Sequence, residues 1–146
     1  MEESAERIGA VNTVWFENDE LVGGNTDWIG FLSNLDQYAP DWSGEAKIAI
    51  VIGAGGASRA ILYALVARRF KTVFLANRTI ERAEQLAEEF GGAKSETQII
   101  PVSLAQIPAH YPQADLLVNT SSMGMENAPD FPLGLLTQIS NLKPDA

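Results

Sequence analysis

The stretch KIAIVIGAGGASRAI, Lys47 to Ile61, predicts a buried strand, a glycine turn and a helix in direct succession. Its apolar run KIAIVI is typical of a strand that is covered on both faces of a parallel sheet. The turn GAGG follows, and ASRAILYALVARR then places Ile61, Leu62, Leu65 and Val66 on the inner face of a helix. This order of elements indicates the first part of a βαβ unit.

Outward from this stretch, strand and helix patterns continue to alternate. TVFLA predicts a second strand and TIERAEQLAEEF a second helix, capped by Thr79 and ended by Gly91-Gly92. A weaker strand is expected from Thr97 to Pro101, then a short helical segment, and DLLVNT predicts the next strand. The order predicts an α/β fold, a Rossmann-like doubly wound parallel sheet with helices on both faces.

The first 44 residues have a different pattern. AVNTVWF and ELVGG predict a β-hairpin joined by ENDE, and NTDWIGFLSNLDQY predicts a helix that starts near Thr26 or Asp27. Pro40 and the turn-like DWSGE separate this part from the alternating region. We therefore expect a junction of hairpin and linker helix at residues 1–44 and a dinucleotide-binding domain at residues 45–146.

Length and composition are those of an ordinary globular domain, with 146 residues, 46% hydrophobic and 20% charged. A net charge of −9 argues against a nucleic-acid binder. No apolar run approaches the roughly 18 residues of a membrane span, and the acidic N-terminus lacks a signal-peptide core. The absence of cysteine excludes disulfides and thiolate metal sites. We expect a cytoplasmic protein with no metal, nucleic-acid or membrane partner.

The segment GAGGAS, Gly53 to Ser58, stands where a dinucleotide-binding turn belongs. Gly53 allows the tight turn, Gly55 lets the backbone approach a pyrophosphate, and the helix N-terminus contributes free N–H groups. Ser58 replaces the third glycine of the usual fingerprint, and a residue this small still permits close helix–strand packing. Glycine turns also join strands to helices without a ligand, so the flanking βα units carry much of the evidence.

Asn77-Arg78-Thr79, at the joint between the second strand and the second helix, indicates which dinucleotide is bound. NAD-binding domains usually place a carboxylate here, which accepts hydrogen bonds from the ribose 2′-hydroxyl and repels a 2′-phosphate. The guanidinium of Arg78 instead offers a planar, permanently charged fork for phosphate oxygens. Arg59 and Arg82 are expected to lie around these loops as well. NADP(H) is therefore the expected cofactor, although a solvated Arg78 and a Thr79 that only caps its helix would be the simpler interpretation.

Five sequence blocks together resemble the shikimate dehydrogenase family, which includes the quinate/shikimate dehydrogenases. They are IGAVNTV, GGNTDWIGF, VIGAGGASRAI, NRTIERA and LLVNTSSMGM, in this order from Ile8 to Met125. The resemblance implies a domain that binds NADP(H). It also implies an enzyme that reduces 3-dehydroshikimate to shikimate with NADPH, in the route to aromatic amino acids.

The resemblance implies roles for individual residues. Asn12 matches a substrate-binding asparagine, and Asp27 matches a catalytic aspartate that binds a substrate hydroxyl and works with a lysine. The cofactor-binding matches are Gly53, Ala54, Gly55, Gly56 and Ala57 at the pyrophosphate, Asn77, Arg78 and Thr79 at the 2′-phosphate, and Thr120, Ser121 and Met123 beside the nicotinamide. Without the family, Asp27 would be only a helix N-cap and Asn12 a strand residue. Trp28 departs from the glycine often found after NTD, and is expected to narrow the cleft or to pack at the domain junction.

The family also has a substrate domain with paired serines and a catalytic lysine, and nothing in this sequence matches it. The four lysines, Lys47, Lys71, Lys94 and Lys143, lie in contexts unlike that lysine's. We therefore expect the chain to be a fragment that binds NADP(H) without dehydrogenase activity of its own. Exposed apolar surface at its ends is expected to favour self-association.

Three other interpretations stay open at this point. The chain could come from a quinate/shikimate dehydrogenase paralogue, from another NADP-linked domain such as that of glutamyl-tRNA reductase, or from a non-catalytic NADP-binding module. The AVNT and NTD blocks argue against the glutamyl-tRNA reductase domain, because that domain needs neither of them.

Overall fold

The computed structural model describes residues 1–43, 47–92 and 95–122, and the structural statements below concern these ranges. The chain begins with helix α1 (Glu3–Ile8), hairpin strands β1 (Thr13–Glu17) and β2 (Glu20–Gly24), and helix α2 (Asp27–Tyr38). It continues with β3 (Ile48–Ile52), α3 (Gly56–Ala67), β4 (Thr72–Ala76), α4 (Ile80–Gly91), β5 (Gln98–Val102), a 3-10 segment (Leu104–Gln113) and β6 (Leu116–Asn119).

The four later strands form a parallel sheet in the order β5-β4-β3-β6. The chain steps outward from β3 through β4 to β5 and then returns to the other side of β3 as β6. The direction of winding therefore reverses between β3 and β6. In open α/β sheets, ligands bind outside the carboxyl ends of the strands at such a switch point. The predicted doubly wound α/β fold is confirmed.

Alternating side chains of the sheet build two cores. Val51 faces a core shared with α2, α3 and α4, whereas Ile50 lies in the opposite core with Ile107 of the 3-10 segment. Pro108 and Pro112 lie inside that segment. Proline lacks the N–H that an α-helix interior requires, so 3-10 structure covers this face in the described chain.

The hairpin turn is tighter than the four-residue ENDE connection expected from the sequence. Glu17 pairs directly with Glu20, which leaves Asn18 and Asp19 as a two-residue turn with φ of 50° and 64°. Two-residue hairpin turns of type I′ require positive φ at both positions, and Asn and Asp tolerate this better than most residues.

Helix α1 has only six residues, and the sequence patterns above do not predict it. Glu3 and Glu6 lie in its first turn, and Gly9 follows its end with φ of 77°. A helix this short is unstable in isolation. Its buried residues Ala5 and Ile8 and its packing against α3 therefore stabilise it.

Helix α2 also packs against α3, so the N-terminal elements rest on the first helix of the alternating region. The expected division after residue 44 stays a prediction, since residues 44–46 lie outside the described ranges. In the part of the chain that the structure describes, no helix combines the length and apolar character that a membrane crossing requires.

Candidate functional site

A cleft of about 240 Å³ opens at the carboxyl ends of β3, β4 and β6. Its lining residues are Ile52, Gly53, Ala54, Gly55, Asn77, Arg78, Thr120, Ser121 and Ser122. Three segments that are distant in sequence thus meet here: the glycine turn after β3, the joint after β4 and the loop after β6. The cleft lies at the switch point of the sheet, where a doubly wound fold is expected to hold its ligand.

Gly53 is packed tightly against Thr120. The backbone of Gly53 has φ of 111°, and a methyl group on its Cα would lie 2.5 Å from Oγ1 of Thr120. The hydroxyl and the N–H of Thr120 each donate a hydrogen bond of 2.8 Å to the carbonyl of Ile52. Only glycine combines this φ with the lack of a Cβ, so the close contact of the two loops requires it.

Gly55 and Gly56 leave space at the N-terminus of α3. A Cβ built on either residue would have no neighbouring atom within 4 Å. Ser58 is fully buried, and its hydroxyl donates to the carbonyl of Gly55 at 2.6 Å. The serine that replaces the third glycine of the fingerprint therefore braces the turn. The first N–H groups of a helix lack intrahelical partners, which makes this open end suitable for an anion.

Arg78 brings an uncommitted positive charge to the cleft. Its side chain is exposed and takes part in neither of the two ion pairs found among the described residues. Asn77 braces the same joint by donating from Nδ2 to the carbonyl of Thr79 at 3.1 Å. Thr79 occupies the N-cap position of α4, but its side chain makes no capping hydrogen bond, contrary to the expected cap.

Arg59 does not join Arg78, so the expected clustering of arginines around the two loops is wrong for this residue. Its Nε donates to the carbonyl of Ile8, and its Nη2 pairs with Glu89 at 2.7 Å. The guanidinium also lies 5.4 Å from the ring centre of Phe90. Arg59 thus connects α3 with α1 and α4.

Asn12 and Asp27 form a second polar group outside the lining of the cleft. Nδ2 of Asn12 donates to Oδ1 of Asp27 at 2.7 Å, while Oδ1 of Asn12 accepts from the N–H of Thr26 at 2.9 Å. Both side chains are exposed. Asp27 is the first residue of α2, after the N-cap Thr26.

The buried Asn25 supports the Asn12–Asp27 pair through hydrogen bonds, a role that the sequence patterns do not predict. It is 2% exposed. Its Nδ2 donates to the carbonyl of Ala10 at 3.2 Å, and its Oδ1 accepts from the N–H of Asp27 at 3.0 Å. The side chain thereby joins the segment before β1 to the start of α2. In the sequence, the position of Asn25 inside the NTD block could have indicated this role.

Trp28 packs on α3 and is not among the residues that line the cleft. Its ring meets that of Tyr63 edge to face, with 5.0 Å between the ring centres. Of the two expectations for this residue, packing between the linker helix and the alternating region is therefore met. Its indole nitrogen is buried without a hydrogen-bond partner among the described residues.

Some of the other predicted cofactor-binding residues lie beside the cleft without lining it. Gly56, Ala57 and Thr79 adjoin the cleft in sequence without lining it, and Met123 lies outside the described residues. Ser122 lines the cleft and was missed, although it follows Ser121 in the same loop. Among the described residues, no group of three or more His, Cys, Asp or Glu side chains has the arrangement of a metal site.

Comparison with known proteins finds a matching family and similar proteins. A family model described as shikimate/quinate 5-dehydrogenase matches residues 37–127. A curated protein of Bartonella henselae, named shikimate dehydrogenase (NADP(+)), is 54% identical over 127 residues, covering 85% of this chain and 40% of the relative. The chain spans less than half the length of the curated relatives it matches.

Two solved structures are similar in fold and sequence. Shikimate 5-dehydrogenase from Thermus thermophilus, in complex with NADP(H) and shikimate, is 40% identical with a TM-score of 0.67, over 86% of this chain and 42% of that one. Quinate dehydrogenase from Corynebacterium glutamicum, in complex with NAD, is 32% identical with a TM-score of 0.75, over 88% of this chain and 45% of that one.

Proposed function

Because this chain belongs to the shikimate/quinate 5-dehydrogenase family, we propose that it binds NADP(H) in the cleft and contributes to the interconversion of 3-dehydroshikimate and shikimate. The observation that carries the proposal is the meeting of the glycine turn, Arg78 and the loop after β6 in one cleft. Each of the three predicted cofactor segments supplies residues to it.

The cofactor side of the site follows from the charges and the open space around the cleft. The pyrophosphate is assigned to the turn from Gly53 to Ala57 and to the N-terminus of α3, where Gly55 and Gly56 face open space. The 2′-phosphate is assigned to Arg78, with Asn77 and Thr79 as neutral neighbours. Thr120 and Ser121, and Met123 by resemblance, border the nicotinamide. When bound, the nicotinamide supplies or accepts the hydride.

Arg78 supports NADP over NAD. The Corynebacterium glutamicum relative is a quinate dehydrogenase in complex with NAD, so the family resemblance alone leaves the cofactor open. Asn77, Arg78 and Thr79 put no carboxylate at the end of β4, and an exposed guanidinium suits the doubly charged 2′-phosphate. The curated relatives named for NADP(+) agree with this choice.

Asn12 and Asp27 are proposed to bind and orient the substrate. Asn12 occupies Oδ1 of Asp27, and among the described residues nothing hydrogen-bonds Oδ2. That oxygen can therefore accept a hydrogen bond from a substrate hydroxyl. An ionised aspartate is an acceptor, so it positions the polyol and orients a neighbouring proton donor.

Reduction of the ketone builds negative charge on its oxygen, and a nearby group must supply a proton. The resemblance assigns this task to a lysine that works with the aspartate. The described lysines do not qualify. Lys47 and Lys71 immediately precede β3 and β4, where the N–H of Lys71 donates to the carbonyl of Lys47. This is the end of the sheet opposite the cleft.

The proposal places the protein in the cytoplasm with small-molecule ligands, and self-association stays a prediction.

Titration with NADPH and NADH, followed by nucleotide fluorescence, tests the cofactor assignment. We expect the chain to bind NADPH at least about tenfold more tightly, because a charge-assisted phosphate contact has no counterpart in NADH. Arg78→Ala should lose most of this preference. Lys71→Ala removes the same charge at the opposite end of the sheet and should retain it. Equal affinities of the parent chain for the two nucleotides would refute the assignment.

A second titration tests the substrate. Shikimate or quinate is added to the NADP-saturated chain, and the amide resonances of Asn12 and Asp27 are followed by NMR. Shikimate is expected to shift both resonances at lower concentration than quinate. Stronger shifts with quinate would favour a quinate dehydrogenase, and no shift with either compound would contradict the assignment of Asn12 and Asp27.

A further inference from the structure

Helix α3 connects the two polar groups of the site. It begins at Gly56, directly after the open glycine of the cleft, and carries Arg59 in its first turn and Tyr63 one turn later. Residues four apart lie on the same face of a helix. That face meets α1 and α2, the elements that flank Asn12 and Asp27.

Arg59 fixes the end of α1. Its Nε donates to the carbonyl of Ile8, the last residue of that helix. A Cβ on Gly9, which follows with φ of 77°, would lie 3.3 Å from Nη2 of Arg59. The ion pair with Glu89 and the ring of Phe90 hold the guanidinium from the other side. One side chain therefore joins α1, α3 and α4.

The residues that follow α1 lead directly to Asn12. The carbonyl of Ala10 accepts the hydrogen bond from Asn25, and the N–H of Asn12 donates to the carbonyl of Gly24 at 3.0 Å. Asn25 also binds the N–H of Asp27. A displacement of α1 would therefore reach both members of the Asn12–Asp27 pair through these hydrogen bonds.

Tyr63 provides the second contact on the same face. Its ring meets Trp28, the residue after Asp27. The pKa of Tyr63 is raised, chiefly by burial and next by the negative charge of Glu3 in α1. Tyr63 thus lies where both N-terminal helices approach α3.

We propose that Arg59 is a positioning residue that fixes the Asn12–Asp27 pair relative to the glycine turn through the end of α1. The inference deepens the proposed function, since it concerns the relative placement of its two ligands. It assigns to the arginine of the ASRA segment a role different from binding phosphate.

Arg68 offers a matched control at the other end of α3. It pairs with Asp36 at 2.5 Å and lies 5.5 Å from the ring centre of Trp42, so it combines an ion pair and a ring contact as Arg59 does. Its partners belong to the C-terminal end of α2 and the residues after it, away from Asn12. If Arg59 only stabilised the fold, replacing either arginine should have similar effects. If Arg59 positions the Asn12–Asp27 pair, replacing Arg68 should leave that pair unaffected.

The test compares Arg59→Met and Arg68→Met in this chain by NMR-detected amide hydrogen exchange, with no nucleotide present. Methionine keeps apolar bulk and removes the guanidinium. We expect Arg59→Met to speed exchange at Asn12, Thr26 and Asp27 about tenfold, while Val51 and Val73 in the sheet change less than about twofold. Arg68→Met should leave the first three amides at the parent rate.

Unchanged exchange at the three amides in Arg59→Met would overturn the proposal. The same would follow if Arg68→Met accelerated them equally, or if Arg59→Met accelerated the sheet as much. If Arg59→Met does not fold, the same exchange measurement is made on Arg59→Lys, with the same expected result. Lysine keeps the charge near Glu89 but lacks the planar fork. Because exchange is measured without nucleotide, failure to bind NADPH would refute the proposed function and leave this result standing.

Discussion

Gly53 and Thr120 are in close contact, because a methyl group added to Gly53 would lie 2.5 Å from the hydroxyl oxygen of Thr120. The same hydroxyl donates to the carbonyl of Ile52, so the turn after β3 and the loop after β6 hold one another in place. Two residues further along, Gly55 faces open space. Gly53 and Gly55 therefore have different physical reasons to be glycine, and alanine substitution separates them.

We expect Gly53→Ala to lower the free energy of unfolding by about 2 kcal/mol or more, because the added methyl combines a positive φ with a close contact. Gly55→Ala should change it by less than about 1 kcal/mol, yet weaken NADPH binding about tenfold by placing a methyl group where the backbone should approach the pyrophosphate. Urea denaturation and nucleotide titration measure the two effects. Equal stability loss in both variants would contradict the different roles.

Arg78→Asp places a carboxylate where NAD-binding domains usually have one. We expect NADPH affinity to fall about 100-fold, further than in Arg78→Ala, because repulsion of the 2′-phosphate is added to the lost attraction. NADH affinity should stay level or rise. Calorimetric titration with both nucleotides measures the change, and a parallel loss for both would indicate damage to the cleft instead of altered phosphate recognition.

Asn25→Ala is expected to lower the free energy of unfolding by about 2–3 kcal/mol, since it leaves the carbonyl of Ala10 and the N–H of Asp27 without their buried partner. Asn34→Ala, on an exposed position of α2, should change it by less than about 0.5 kcal/mol. Thermal and urea denaturation provide the measurement. A cost at Asn25 no larger than that at Asn34 would show that the paired hydrogen bonds do not stabilise this segment.

The ionisation of Asp36 is expected to make the free energy of unfolding depend on pH under acidic conditions. Hydrogen bonds from Arg68, first, and from Trp42 lower the pKa of Asp36. Its contribution is therefore fully present above the ordinary carboxyl pKa of about 4 and is lost as pH falls through the lower folded value. The difference in Tm between the parent and Asp36→Asn should shrink as pH drops from about 6 to about 2. A difference that stays constant over this range would rule out the linkage.

The alternating strands and helices and the glycine turn could be predicted because their signals are local. The apolar pattern predicts β3 and the buried Leu62 and Leu65 of α3, and the glycines mark the turn between the two elements. Asn77, Arg78 and Thr120 could be placed near that turn because the carboxyl ends of parallel strands share one edge of a sheet. Three local segments thus predicted a site that none of them forms alone.

The features that escaped prediction depend on tertiary packing. Helix α1 is too short to stand alone and forms against α3. Arg59 is expected near the two loops with Arg78, but its side chain contacts Ile8 and Glu89 instead. Thr79 occupies a capping position without a capping bond, a difference of side-chain rotation that composition cannot specify.

The hydrogen bond from Thr120 to Ile52 joins residues 68 positions apart in the chain. Contacts across such a distance tend to form late, because a large loop must close before they gain free energy. During refolding, the far-UV circular dichroism of the helices is therefore expected to recover before the fluorescence change of bound nucleotide. Nucleotide capture would then serve as an optical signal that β6 has docked beside β3.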